Sequence, residues 1–165
     1  MKQRIHQIFW FWLPPLGYMA AIFYVSALPN PQIGGDTPDY VLHALEYFLL
    51  ALLLIRLLLS QHLLKSKGED FHRWQIVCLI GALIAVAYGV TDEFHQYFVP
   101  NRHSSLHDAA ADAFGAFLAY TAAMLDYWLL TRTSLHARLL QSLKIFRGIC
   151  YLTYWSPTTY PPGNR

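Results

Sequence analysis

Apolar stretches long enough to cross a bilayer recur along this chain, and three of them end in clusters of ionisable residues. The clusters are Asp39, His43, Glu46 and Tyr47; Asp92, Glu93, His95 and Gln96; and Arg102, His103, His107, Asp108 and Asp112. All three fall on the same expected side of a membrane. An Asp or Arg at a helix centre costs about 2.5–3.5 kcal/mol on insertion scales. Charge gathered repeatedly at one depth therefore points to a site there.

Four spans can be placed: Ile8 to Leu28, Val41 to Leu59, Trp74 to Thr91 and Ala109 to Leu130. Each approaches the ~20 residues that cross ~30 Å of hydrocarbon. Composition agrees: 55% of residues are apolar and only 13% charged, whereas soluble domains average about 25% charged. The expected architecture is all-α, an integral membrane bundle of about four transmembrane helices plus a C-terminal interfacial helix. Pro14 and Pro15 remove two amide donors from the first span and should kink it. Lys2 and Arg4 followed by Val25-Ser26-Ala27 imitate a signal peptide. Three further spans favour an uncleaved helix.

The chain divides into a transmembrane domain over 1–130 and a basic amphipathic tail over 131–165. In the tail, Arg138, Lys144 and Arg147 alternate with Leu139, Leu140, Leu143, Ile145 and Phe146. That pattern suits a helix lying on the cytoplasmic leaflet. Pro157, Pro161, Pro162 and Gly163 then predict a disordered end. Cys78 and Cys150 form no disulfide or metal-binding pattern. A net charge of +2 with no basic stripe is too small to imply a nucleic-acid partner, and none is expected.

Of the 12 Lys and Arg residues, only Arg102 falls in the loops Pro29 to Tyr40 and Asp92 to His107. The positive-inside rule puts both termini in the cytoplasm and these two loops outside. The ionisable clusters then lie at the outer face. His43, Glu46 and Tyr47 share a helix face, as do Asp92, His95 and Gln96. Asp108, Asp112, Gly115, Ala119 and Ala122 form one stripe, and Gly81, Ala85 and Gly89 another. Small residues allow close backbone approach, so spans three and four are expected to pack through these faces. Asp112 lies about 6 Å deeper than Asp108, and Glu46 about 10 Å below Asp39. Those two acids are the ones expected to be least exposed.

Asp39-Tyr40-Val41-Leu42-His43-Ala44-Leu45-Glu46-Tyr47 resembles the Asp-Lys-x-x-His-x-x-x-Tyr of VanZ-like membrane proteins. Asp92-Glu93-Phe94-His95-Gln96, Pro100-Asn101-Arg102, Ser105 and Asp108 through Asp112 to Gly115 are similar to its later series. That series runs Asp-Glu-x-x-Gln, Pro-x-Arg, Ser and Asp-x-x-x-Asn-x-x-Gly. Ser26 and Pro29 resemble the motif after the first helix. Tyr40 stands where the family usually has Lys, and Asp112 where it usually has Asn. The resemblance implies a small helical bundle of the bacterial cytoplasmic membrane. One family member is linked to teicoplanin resistance, and no reaction is implied.

Arg102 is the one cation on the outer side. It faces Asp36, Asp39, Glu46, Asp92, Glu93, Asp108 and Asp112, either as a buried ion pair or as a bidentate holder of phosphate or carboxylate. The first functional class is recognition or modification of a membrane lipid or cell-envelope precursor. Arg102 with Asp39, Glu46, Tyr47, Gln96 and Asp112 would bind it. In a catalytic version Asp92, Glu93 or Asp108 would be general base and His43 the acid. A non-catalytic scaffold and a proton-coupled carrier titrating Glu46 and Asp112 are the other classes. No cofactor and no metal are expected, because Asp92, His95 and Asp108 match no strong zinc spacing. His95, His103 and His107 are read as surface loop residues. Oligomerisation is left open.

Overall fold

The computed structural model describes residues 8–29, 37–61, 71–102 and 104–132. A π-helical stretch, Ile8–Trp12, leads into α1 (Leu13–Ser26); then come α2 (Asp39–Ser60), α3 (Phe71–Gln96) and α4 (Leu106–Arg132). Among the described residues there is no strand, as expected of an all-α chain. The helices run alternately up and down, so the C-terminal ends of α1 and α3 meet the N-terminal ends of α2 and α4. At the opposite end, Trp74 Nε1 donates to the Ala123 carbonyl at 3.4 Å and Gln75 Nε2 to Tyr120 Oη at 3.2 Å.

Two helices, Asp39–Ser60 and Phe71–Gln96, are long and apolar enough to cross a membrane. Their outward faces carry exposed Leu45, Leu49, Leu79, Ile80 and Leu83. Both outlast the spans marked by hydropathy. For α3 this matters, because Asp92, Glu93 and Gln96 sit in its last helical turns rather than beyond its end. The expected interfacial helix of the tail lies outside the described residues.

The core forms around α2, which packs most extensively on α4 and next on α3. Tyr47, Leu50, Ala51, Leu54 and Ile55 meet Cys78, Ala82 and Ala85 on one side and Ala116, Ala119 and Ala123 on the other. The helices of the third and fourth spans pack together as expected, with Gly89 against Asp112, but the small-residue stripes also serve a second contact. A Cβ on Gly81 would come within 3.0 Å of the Ile55 backbone, and one on Gly115 would collide with the Ala44 carbonyl. Both stripes admit α2, and Gly89 meets Tyr47 of α2 and Asp112 of α4 together. Ala122 is exposed, and Ala123 takes the buried place. An acidic and small stripe reveals that something approaches closely, but not which neighbour does.

Pro14 and Pro15 stand in the first turn of α1, where missing amides are tolerated. Pro14 nonetheless has no N–H to offer the carbonyl of Trp10, four residues back. Arg56 offers one: buried on α2, its Nη1 donates to Trp10 O at 2.6 Å, and its guanidinium lies 4.6 Å from the Phe11 ring centroid. This cation is a clasp between α2 and the N-terminal segment, beyond its part in the charge asymmetry.

Candidate functional site

Pro38 precedes α2 in extended geometry (ψ 139°), and its carbonyl accepts from the amides of Val41 and Leu42. Asp39 follows in the first turn, where a carboxylate complements the helix dipole. One turn on, His43 points into the bundle. Its Nδ1 lies 3.0 Å from Asp112 Oδ1 on α4 and 4.0 Å from Glu93 Oε1 on α3. A single buried imidazole thus joins three helices. Another turn along, Tyr47 is wholly enclosed. It is a core residue and not an aromatic at a membrane interface.

The last turns of α3 divide their labour. Asp92 accepts from Ser26 Oγ at 2.6 Å through Oδ1 and from Gln96 Nε2 at 2.9 Å through Oδ2. Both of its oxygens are engaged, and the bond to Ser26 ties α1 to the cluster. Glu93 Oε2 accepts the backbone N–H of Ser105 at 3.1 Å. Ser105 in turn caps α4: its Oγ accepts the Asp108 amide at 3.1 Å and donates to Asp108 Oδ2 at 2.7 Å. In an ordinary capping box the third helical residue would reach back to the cap's own N–H. Here Glu93 takes that place, so the start of α4 is fixed by α3.

Between α3 and α4 the chain turns at Asn101, whose φ of 62° is left-handed, a conformation Asn tolerates better than most residues. The turn directs Arg102 back to α1, where Nη2 lies 3.5 Å from the Val25 carbonyl. Among the described residues no carboxylate approaches Arg102 within 4.0 Å. The expected ion-pair hub is therefore His43, not Arg102. Spacing counted the acids near Arg102 but could not show that the guanidinium leaves the bundle axis toward α1.

Burial also differs in part from the depth argument. Asp112 is 1% exposed, as anticipated, but Asp92 and Glu93 are each 5% exposed. Glu46 is only half-buried, within electrostatic range of His43, Asp92, Asp112 and Arg102. Depth along the helix axis was the wrong measure, because covering neighbours decide exposure. His95 corrects another expectation: it is helical and half-buried, its ring stacked 4.5 Å from that of Phe23. His107 is exposed as expected, whereas Asp36 and His103 lie outside the described residues.

Buried polar atoms without a hydrogen-bond partner include Tyr47 Oη, Glu93 Oε1 and Asp112 Oδ2 around His43, and His95 Nε2 and Arg102 Nε nearer α1. Gly89 makes room for two of these groups, since a Cβ there would stand 2.8 Å from Asp112 Oδ2 and 3.0 Å from Tyr47 Cε1. Ser26 and Ser105, named in the sequence only through the family resemblance, and Gly89, named only in a small-residue stripe, are members of the cluster that had been given no role in the site. The Ser105-x-x-Asp108 spacing, a helix-cap signature, was the available signal for Ser105.

Beside the cluster a groove of about 840 Å³ runs between α2 and α4. Val41, Ala44, Leu45, Phe48, Ala111 and Phe114 form its apolar walls, and Asp39, His107 and Asp108 its polar end. His43 connects the two regions: ligand atoms of Asp39, His43 and Asp108 lie within 4.8 Å of one another, as do those of His43, Glu93 and Asp112.

No curated protein and no solved structure matches the chain. The family model VanZ/LLP1 matches residues 15–130, a segment holding Ser26 and the three ionisable clusters. The order of motifs along the sequence and their convergence in space concern the same residues. The chain belongs to the VanZ/LLP1 family.

Proposed function

We propose that this protein crosses the bacterial cytoplasmic membrane four times, with both termini in the cytoplasm, and recognises or modifies a cell-envelope lipid or lipid-linked precursor at the outer face. The groove carries this reading. An apolar channel ending in ionisable groups suits an amphipathic ligand whose chain lies along α2 and α4 and whose head meets Asp39, Asp108 and His43. Two apolar helices and the exclusion of all but one cation from the loops at this end support the topology. α4 has 27 residues, about 40 Å at ~1.5 Å each, and also reaches across.

Within this reading the residues take separate parts. His43 and Glu93 form the polar floor behind the head group, Glu93 with one oxygen that takes no hydrogen bond. Asp92 holds helices together, since both its oxygens are used. Asp39 and Asp108 face the ligand. Asp112 sets the orientation of His43, while Arg102, turned to α1, stands outside the groove. The Asp92–Ser26–Gln96 lock favours a second reading, a scaffold whose polar residues only join helices.

The test is labelling in nanodiscs with a photoreactive polyprenyl phosphate, mapped by peptide mass. Adducts are expected within residues 40–48 and 107–118, and Ala111→Trp is expected to suppress them while Ala122→Trp is not. Adducts spread over the outward faces of all the helices, unaffected by Ala111→Trp, would refute the lipid site.

A further inference from the structure

We infer that His43, Glu93 and Asp112 form a binding site for one divalent transition-metal ion at the centre of the bundle. Three helices bring these side chains together, one from each of α2, α3 and α4, and a ligand atom from each lies within 4.8 Å of the other two. All three residues are more than nine-tenths buried. Two carboxylate oxygens, Glu93 Oε1 and Asp112 Oδ2, have no hydrogen-bond partner. Buried carboxylate oxygens seldom remain unpaired without cost. Glu93 Oε1 is turned toward the imidazole, 4.0 Å from Nδ1, at a separation too long for a hydrogen bond.

Charge points the same way. Asp92, Glu93 and Asp112 are buried together, with Asp39, Glu46 and Asp108 close by, while Arg102 is the facing cation among the described residues, since His43 would hold the ion as a neutral imidazole. Arg102 is drawn off to the Val25 carbonyl. A doubly charged ion between the three ligands would offset this excess where dielectric screening is weak. The geometry is near what such an ion needs. A four-coordinate Zn²⁺ with bonds of about 2.1 Å sets its ligand atoms about 3.4 Å apart. His43 and Asp112 stand at 3.0 Å and His43 and Glu93 at 4.0 Å, so these two pairs adjust by about 0.4–0.6 Å to reach that geometry, and Glu93 and Asp112 stand within 4.8 Å of each other.

One imidazole with two carboxylates is a mixed nitrogen and oxygen set, which suits Zn²⁺ or Mn²⁺ better than Ca²⁺ or Cu⁺. Three protein ligands leave a coordination position open. Gly89 keeps side-chain bulk away from Asp112 Oδ2, and Glu93 Oε2 is already fixed by the Ser105 amide, an outer contact of the kind that orients metal ligands. The Asp39, His43 and Asp108 set is open to solvent, and Ser105 occupies Asp108, so the inner triad is the site. The inference goes beyond the lipid reading and does not depend on it.

The experiment uses full-length protein in detergent without added phospholipid, stripped with chelator and titrated calorimetrically with Zn²⁺ and with Mn²⁺. One equivalent of one of these ions is expected to bind. Glu93→Gln and Asp112→Asn, which keep side-chain shape, are each expected to weaken binding at least tenfold. Substitution with Co²⁺ supplies a second reading on wild-type protein alone: a visible spectrum of low symmetry with nitrogen and oxygen ligands. Failure of both Zn²⁺ and Mn²⁺ to bind stoichiometrically, or binding unchanged in folded Glu93→Gln and Asp112→Asn, overturns the site. Ordered water would then satisfy the free oxygens. Because no lipid enters this titration, its failure leaves the photolabelling result untouched, and the reverse also holds.

Discussion

Replacing Gly115 with alanine is expected to prevent stable assembly of the bundle. The added Cβ would overlap the carbonyl of Ala44, with the Phe48 amide nitrogen 2.9 Å away. Both obstacles are backbone, so no rotamer change relieves them. α2 and α4 form the largest helix contact in the fold, and they would have to separate along its length. Overpacking in an ordinary core costs about 1–3 kcal/mol, occasionally more; a backbone obstacle places this substitution at about 3 kcal/mol or above. Gly17→Ala is the matched control. A Cβ there meets nothing within 4 Å, and alanine favours a helix by about 0.5–1 kcal/mol over glycine. Thermal melts in one detergent should show Gly115→Ala collapsing and Gly17→Ala equal to or above wild type. Equal melting temperatures for Gly115→Ala and wild type would contradict the packing.

His43→Ala is the second large effect. It removes a buried side chain that faces both Asp112 and Glu93, at 3.0 Å and 4.0 Å, leaving two buried carboxylates without it. Breaking a buried ion pair by removing one member costs about 3–5 kcal/mol, whereas replacing the pair with packed apolar groups is often neutral. The double variant His43→Leu with Asp112→Leu is therefore expected to regain most of the stability lost in His43→Ala. Ligand binding should not return with it. A scaffold needs only the folded bundle, so restored stability accompanied by restored function would support that reading. Restored melting temperature with no function identifies the imidazole and carboxylate as chemistry and not merely as glue.

Hydropathy and charge asymmetry were enough to place the helices, because a bilayer-length apolar run has few alternatives. They also put the ionisable residues at one end, and the contacts between Ser26 and Asp92 and between His43 and Asp112 bear that out. Partner identity was not legible. Periodicity shows which residues share a helix face but not which helix that face meets, so Gly81 and Gly115 were assigned to each other's helices when both receive α2. For the same reason Arg102 looked like the electrostatic hub, although the turn at Asn101 takes it toward Val25. Asp92 and Glu93 are adjacent and chemically alike. Only the fold shows that one is saturated by Ser26 and Gln96 while the other retains a free oxygen. The relation of Arg56 to Trp10 depends on a donor missing at Pro14, 42 residues earlier, and local reading stops short of it.

Whether the polar end of the groove holds a lipid head group is tested most directly by native mass spectrometry of the purified protein. Wild type and Ala111→Trp should be released from the same detergent and compared for retained lipid. One specific polyprenyl or phospholipid species carried by wild type and absent from folded Ala111→Trp is the expected result. No specific lipid on either protein, or the same lipids on both, would contradict a ligand site in the groove and leave the polar cluster as a device for joining helices.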